Sequence, residues 1–309
     1  MKKCIICGTE KDDAEFNIEH VIPESAGSSF TIDNVCKECN NHLGRTVDKK
    51  FLENSLIKLY LSKFNIKNKK GKLPQFWTKL PVRKNSKIKA IPQYDRINNQ
   101  FKGWKYSNAL INSKGSKHLV FDSGEKIEDV LSEFSDDELD KEKIKKEFYK
   151  GNYSEEQQEL ILNMEIHLED LFLEAIKISY EFASYVLGEE YLDDSLAFEF
   201  RKILLNPSKI SENIEKYFLR YDFEESIFKD TLHTIFLIRD DKSLFVCTNL
   251  FNCFAFSVEV SRNLNLIPQN FIGNFLLINI DRSFSDYYIT TNNLEILDLY
   301  SKLKYDIFK

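Results

Sequence analysis

The stretch CIICGTEKDDAEFNIEHVIPESAGSSFTIDNVCKECNNHLG, from Cys4 to Gly44, decides how the N-terminal part of the chain folds. It contains two Cys-x-x-Cys pairs, Cys4 with Cys7 and Cys36 with Cys39. Four cysteines in two such pairs are the ligand set of a structural, tetrahedral Zn²⁺ site. Because so short a segment cannot bury enough apolar surface to fix its own shape, we expect the metal to do so. The 28 residues between the pairs exceed what a simple zinc ribbon needs, which predicts a further structure inside this zinc clamp.

Two short strands are predicted between the cysteine pairs. Apolar and polar residues alternate moderately from Phe16 to Ile22, which is typical of a strand. On this pattern Ile18 and His20 share one face, while Glu19 points the other way or lies across a kink. The second short strand is predicted over residues 30–35. The segment inside the zinc clamp carries a histidine, two amides and several carboxylates.

The segment resembles the zinc-clamped branch of the HNH endonucleases, whose core is a ββα-metal fold. The resemblance rests on Glu-His-x-x-Pro at residues 19–23, Gly27 in a loop, Asp33-Asn34, and Cys-x-x-Cys-Asn-Asn at residues 36–41, with Gly44 beyond. It covers roughly the first 55 residues, less than a fifth of the chain. Each letter alone is common, but six or more positions agree in order, which makes the combined pattern specific.

The resemblance implies a metal-dependent phosphodiesterase and assigns a role to each motif residue. His20 would be the general base, since an imidazole titrates near neutral pH. Glu19 and Asn40 would offer oxygen ligands to a catalytic Mg²⁺ or Mn²⁺ ion. Asn34 would hydrogen-bond backbone near His20 and hold its ring. The zinc clamp would fix the start of the helix that carries Asn40 against the end of the strand hairpin.

For the third motif position, Asn40 competes with Asn41 and His42. Asn40 directly follows the fourth cysteine, where the family has its third residue. His42 lies two residues further on, about 200° around a helix. Because both side chains cannot easily face one metal, Asn40 is preferred as the ligand and His42 is kept as the alternative.

Composition places the chain among globular proteins and points to a nucleic-acid partner. The chain has 309 residues, of which 42% are hydrophobic and 30% charged. The net charge is −6, but residues 45–90 hold 14 lysines and arginines against two acids, a local charge of +12 beside the motif. A phosphate backbone favours such a segment. Cysteine pairs suited to metal rather than disulfides, with no apolar run of transmembrane length and no signal peptide, predict a cytoplasmic protein without a membrane partner.

The fold class predicted for the whole chain is α+β, in four segments. They are the zinc-bound ββα-metal module (1–60), a basic β-containing connecting region (61–123), a helical region (124–206) and a mixed, strand-rich C-terminal domain of unknown role (207–309). Within them, helices are predicted over Cys39–Leu61, Ser154–Leu187, Asp194–Leu205 and 294–308, and strands over Leu232–Ile238, Leu244–Thr248, Cys253–Val260 and Leu276–Ile280.

The resulting interpretation is a metal-dependent endonuclease that hydrolyses DNA. Anti-phage defence or restriction is the expected setting, because a nuclease with a large additional region suggests regulation or target sensing by a partner or ligand. Two alternatives stay open: a non-catalytic, zinc-dependent nucleic-acid-binding protein, and an RNase or toxin. Double-strand breaks would require either a homodimer or two visits, since one centre cuts one strand per engagement.

Overall fold

The computed structural model describes residues 1–68, 70–74, 80–81, 87–94, 101–113, 116–155, 166–207, 214–219, 231–251, 254–267, 274–279 and 287–290. The fold is α+β, as predicted. The chain divides into two compact units. Unit 1 comprises Met1–Gly71 and Glu165–Lys309, and unit 2 comprises Lys72–Met164.

The N-terminal part of unit 1 contains two small antiparallel hairpins and a helix in three pieces. These elements are β1 (Lys2–Lys3), β2 (Glu10–Lys11), β3 (Phe16–His20), β4 (Thr31–Cys36), α1 (Lys37–Leu43), α2 (Lys49–Glu53) and α3 (Ser55–Lys63). Strand β3 pairs with β4, which confirms both predicted strands. A π-helical turn, Gly44–Asp48, joins α1 to α2.

The predicted helix from Cys39 to Leu61 is interrupted at Asn54. Asn54 adopts a non-helical backbone with a ψ of 134°, and its side-chain oxygen accepts a hydrogen bond from the backbone N–H of Leu56 at 3.1 Å. Asparagine at this position caps a new helix rather than continuing the old one. The apolar residues keep their helical spacing on both sides of Asn54, so this spacing alone predicted one continuous helix.

The described residues of unit 2 form a small β-rich unit with two helices. A three-stranded antiparallel sheet and a separate hairpin precede the helices. Its elements are β5 (Leu80–Pro81), β6 (Lys89–Tyr94), β7 (Phe101–Tyr106), β8 (Ala109–Ser113), β9 (Ser116–Val120), α4 (Ile127–Ser132) and α5 (Lys141–Tyr149). The predicted helical region thus contributes α4 and α5 to unit 2 and its later helices to unit 1.

Two helices follow in unit 1, α6 (Leu168–Leu187) and α7 (Ser195–Leu205). The Asp194 side chain accepts the backbone N–H of Leu196 at 2.8 Å, and this cap fixes the start of α7 close to its predicted position. The predicted start of α6 at Ser154 is wrong, since His167 is extended and the helix begins at Leu168. Residues 156–165 lie outside the described part of the chain.

A six-stranded antiparallel sheet forms the C-terminal part of unit 1, in the order β10-β13-β12-β11-β14-β15. Its strands are β10 (Phe218–Leu219), β11 (Thr231–Arg239), β12 (Leu244–Leu250), β13 (Phe254–Ser261), β14 (Asn274–Asn279) and β15 (Tyr287–Thr290). The four strands predicted from Thr231 onward are confirmed. The helix predicted over 294–308 lies outside the described residues.

One hydrophobic core runs through unit 1. Buried side chains from the N-terminal hairpins, α1, α6, α7 and the sheet form a single contiguous cluster, for example Ile5, Leu43, Ile178, Phe200 and Val258. The N-terminal segment therefore packs as part of unit 1 and shares its core with elements more than 100 residues away in sequence.

Candidate active site

The four cysteines of the zinc clamp come together as predicted. Each offers one Sγ atom, and all four atoms lie within 4.8 Å of one another. A tetrahedral zinc ion with bonds of about 2.3 Å would hold sulfur atoms about 3.8 Å apart. Gly8 has a left-handed φ of 73° and donates its N–H to the Cys4 carbonyl at 2.8 Å, which turns the first pair back on itself.

Hydrogen bonds polarise this cluster toward a thiolate. The Cys39 thiol donates to Cys4 and lowers the pKa of Cys4 to about 4, and the same bond raises the pKa of Cys39. The backbone N–H of Cys36 also points at Cys4 Sγ, at 3.3 Å. Zinc binds thiolates, and N–H groups around a zinc–sulfur centre orient its ligands. The donor set therefore fits a structural Zn²⁺ ion.

His20 ends β3, opposite Thr31 in the hairpin. Its side chain is 27% exposed, and its Nε2 lies 4.0 Å from Glu24 Oε2 in the turn that follows. A carboxylate at this distance can help to orient the imidazole ring. Sequence reasoning missed Glu24, although its position four residues after His20 was visible in Glu-His-Val-Ile-Pro-Glu.

Asn40 joins the first turns of α1 to β3. Its side-chain Nδ2 donates to the backbone carbonyl of Ile18 at 2.8 Å. This bond uses the amide nitrogen, so the amide oxygen is the atom that could ligate a cation. His42 instead directs Nε2 to the carbonyl of Leu204, at 3.1 Å, at the end of α7. Asn40 and His42 thus point to different parts of unit 1, and of these two only Asn40 contacts the strand that carries His20.

Asn34 lies on β4, within the irregular part of the β3–β4 pairing. Its backbone carbonyl accepts the N–H of Ile5 at 3.0 Å and so ties β4 to the first cysteine pair. Its side-chain Oδ1 is buried and has no hydrogen-bond partner among the residues described. Asn34 is predicted to hold the His20 ring. No hydrogen bond to this oxygen supports that role, so it stays a prediction.

Glu19 occupies a setting that the sequence did not indicate. The residue is only 3% exposed, whereas its neighbour Ile18 is 62% exposed, so the side of β3 that carries Glu19 faces the core. Glu19 Oε1 lies 2.9 Å from the Nζ of Lys177, which is fully buried on α6. Taking an ammonium group out of water costs several kcal/mol unless it is paired. Glu19 is one of the partners that offset this cost.

Lys177 is surrounded by acidic groups. Its Nζ lies 3.1 Å from Asp48 Oδ1 and 3.7 Å from Glu181 Oε2, and donates to the backbone carbonyl of His20 at 2.8 Å. Burial alone would lower the pKa of Lys177, but the carboxylates outweigh it and the pKa is raised well above its ordinary value. We call Glu19, Asp48, Glu174, Lys177 and Glu181 the buried charge cluster.

The carboxylates of the buried charge cluster outnumber its single cation. Burial raises the pKa of Glu19, and it raises the pKa values of Glu174 and Glu181 well above the ordinary range. Both oxygens of Glu174 are buried, and the side chain lies beside Asp48. The sequence did carry a signal for this cluster, because Glu174, Lys177 and Glu181 are spaced at i, i+3 and i+7 along an otherwise apolar helix. Charges on one face of a buried helix point to a polar partner across the core.

Comparison with known proteins adds one finding: residues 4–56 match the family model of the HNH endonucleases. No curated protein and no solved structure matches the chain. The N-terminal segment is thus an HNH endonuclease module with a four-cysteine cluster that suits zinc. Such a module indicates nuclease activity and a nucleic-acid substrate. Within the described part of the chain, no helix combines the length and the apolar character that crossing a membrane requires.

Proposed function

We propose that this chain is a metal-dependent endonuclease that hydrolyses phosphodiester bonds of DNA. The observation that carries the proposal is the match of residues 4–56 to the HNH family model, supported by the anchoring of two motif residues and of the cysteines. His20 ends β3, and the Asn40 side chain donates a hydrogen bond to Ile18 in the same strand. The cysteine cluster joins β4 and α1 to the first cysteine pair, Cys4 and Cys7. The basic run over residues 45–90 supports a phosphate-backbone partner.

In the proposed mechanism, neutral His20 takes a proton from the attacking water. Glu24, 4.0 Å from Nε2, would stabilise the imidazolium that results. Glu19 and Asn40 would hold a divalent cation, Mg²⁺ or Mn²⁺, through one oxygen each. When bound, such a cation offsets the negative charge that develops on the phosphate and on the leaving oxygen.

A plasmid-nicking assay tests the proposal. Wild type, His20→Ala and His118→Ala are compared with Mg²⁺, with Mn²⁺ and with EDTA, and the zinc content of each sample is measured. His118 is an exposed histidine in unit 2, so its variant controls for the loss of any histidine. We expect cation-dependent nicking by wild type and by His118→Ala, and none by His20→Ala at unchanged zinc content.

Three other outcomes would redirect the proposal. Nicking by His20→Ala at the wild-type rate would show that the mechanism is wrong. Cleavage of single-stranded RNA but not of plasmid would favour the RNase or toxin. DNA binding without cleavage in any condition would favour the zinc-dependent binding protein.

The biological setting is a separate part of the proposal. A nuclease module that shares its core with α6, α7 and a six-stranded sheet is consistent with control by the rest of the chain, as anti-phage defence or restriction would need. Phage plating on cells that carry wild type or His20→Ala tests this. Equal plating on both strains would count against defence. The cytoplasmic location rests on the four reduced cysteines that zinc binding requires.

A further inference from the structure

Lys177 lies far outside the family match and still contacts two adjacent residues of the proposed centre. It belongs to α6, whereas the match ends at residue 56. Its Nζ is 2.9 Å from Glu19 Oε1 and 2.8 Å from the backbone carbonyl of His20. The side chain is fully buried, so solvent does not compete for these contacts.

The two contacts constrain different things. The ion pair selects one orientation of the Glu19 carboxylate and occupies one of its two oxygens. The bond to the His20 carbonyl fixes the backbone at the residue that carries the proposed base. Groups that hold a metal ligand in place commonly set the geometry of the site, and their mutation typically costs about 10- to 100-fold in metal affinity or activity.

Two further carboxylates, beside that of Glu19, contact the ammonium group of Lys177. Asp48 Oδ1 lies 3.1 Å and Glu181 Oε2 lies 3.7 Å from its Nζ. Because the ammonium group sits among carboxylates from the hairpin, the π-helical turn and α6, it has little freedom to move away from Glu19.

We propose that Lys177 is a positioning residue of the nuclease centre, which sets the orientation of Glu19 and the backbone of His20 for cation binding. The inference rests on the proposed function, since it assigns Lys177 a part in the same reaction. It extends the functional centre from the N-terminal module to a helix that the family match does not cover.

The test removes the lysine together with the acidic side chain one turn further along α6. The double variant is Lys177→Met/Glu181→Gln, and Glu181→Gln alone is the control for the loss of that acidic side chain. Tyr180→Phe is the matched packing control. Tyr180 is an equally buried neighbour on α6 whose hydroxyl donates to the Ile5 carbonyl at the zinc clamp rather than to β3.

Two readouts are taken on full-length protein: nicking rate against Mg²⁺ concentration, and Mn²⁺ binding by titration calorimetry. We expect the double variant to retain zinc and native circular dichroism, and to need about 10- to 100-fold more cation for half-maximal rate and for binding. Tyr180→Phe should stay close to wild type in both readouts. Glu181→Gln keeps the contacts of Lys177 to Glu19 and Asp48, so it should weaken cation dependence and binding much less than the double variant does.

Each alternative outcome has a defined meaning. A folded double variant with wild-type cation dependence overturns the proposal. So does a double variant that loses zinc or native circular dichroism, because Lys177 would then serve the fold rather than the centre. Equal weakening in Tyr180→Phe would also overturn it, by showing that any loosening of α6 suffices. If wild type neither nicks nor binds Mn²⁺, the proposed function fails first, and this inference falls with it.

Discussion

Acidification should destabilise unit 1 through one buried histidine, His233 on β11. Its Nε2 donates to the carbonyl of Ala26 at 2.8 Å, and its Nδ1 accepts the N–H of Phe251 at 3.4 Å. Burial lowers the pKa of His233 from 6.5 to about 4. The folded state therefore binds fewer protons than the unfolded state below pH 6.5. The stabilisation is present above that pH and is lost as the pH falls through about 4.

The size of the effect follows from the shift. A pKa depressed from 6.5 to about 4 corresponds to a loss of roughly 3 kcal/mol in the free energy of unfolding once both states are protonated. The buried charge cluster acts in the opposite direction, because carboxylates with raised pKa values stabilise the fold as the pH falls. The absolute slope for wild type mixes these contributions, so only a comparison with a variant isolates His233.

His233→Gln supplies that comparison, since its amide can still donate to Ala26 and does not titrate. Denaturant unfolding is followed by far-UV circular dichroism at about pH 7 and about pH 4. Tryptophan fluorescence is unsuitable, because Trp77 and Trp104 are the two tryptophans of the chain and both belong to unit 2.

Wild type should lose roughly 3 kcal/mol more than His233→Gln between the two pH values, after most of the histidine has titrated. His118→Gln, at an exposed histidine, should behave as wild type. Equal losses in wild type and His233→Gln would refute the reasoning, because they would mean that burial does not keep His233 neutral.

Three further predictions concern the parts that hold the site. Cys36→Ser should release zinc and unfold the N-terminal module, as seen by metal analysis and circular dichroism; a full zinc complement would rule out the four-cysteine site. Tyr180→Phe leaves the buried Ile5 carbonyl without its donor, so denaturant unfolding should show a loss of about 1–3 kcal/mol, and no loss would mean that the hydroxyl bond is unimportant. Asp194→Ala removes the cap on Leu196 and should cost about 1 kcal/mol, whereas Asp194→Asn should restore most of it.

The features that the sequence predicted are those set by neighbouring residues. The four-sulfur cluster was predicted because each Cys-x-x-Cys pair is recognisable within four residues, and two such pairs make one zinc ligand set. The turn between β11 and β12 is also set locally, because Asp240 accepts the N–H groups of Lys242 and Ser243 at 2.7 Å. Asp194 marked the start of α7 through its capping side chain. Each of these signals is read over a few residues.

The features that were missed depend on contacts between distant segments. Strand alternation correctly put Ile18 and Glu19 on opposite faces but could not say which face would be buried. Periodicity of 2 gives the two faces of a strand, whereas burial depends on what packs against each. Here the partner is Lys177, whose bond to the His20 carbonyl spans 157 residues of chain. No local pattern near Glu19 could have indicated that partner.

Two residues from the second half of the chain hydrogen-bond to backbone carbonyls at and near the proposed catalytic base, His20. Lys177 on α6 holds the His20 carbonyl, and His233 on β11 holds the carbonyl of Ala26, in the same turn as Glu24, which faces His20. Zinc binding fixes the hairpin to α1 but reaches neither of these contacts. A displacement of α6 or of the sheet would therefore alter the geometry around His20 while leaving the cysteine cluster intact. The contacts that hold the zinc clamp together are thus separate from the contacts by which α6 and β11 reach the proposed centre.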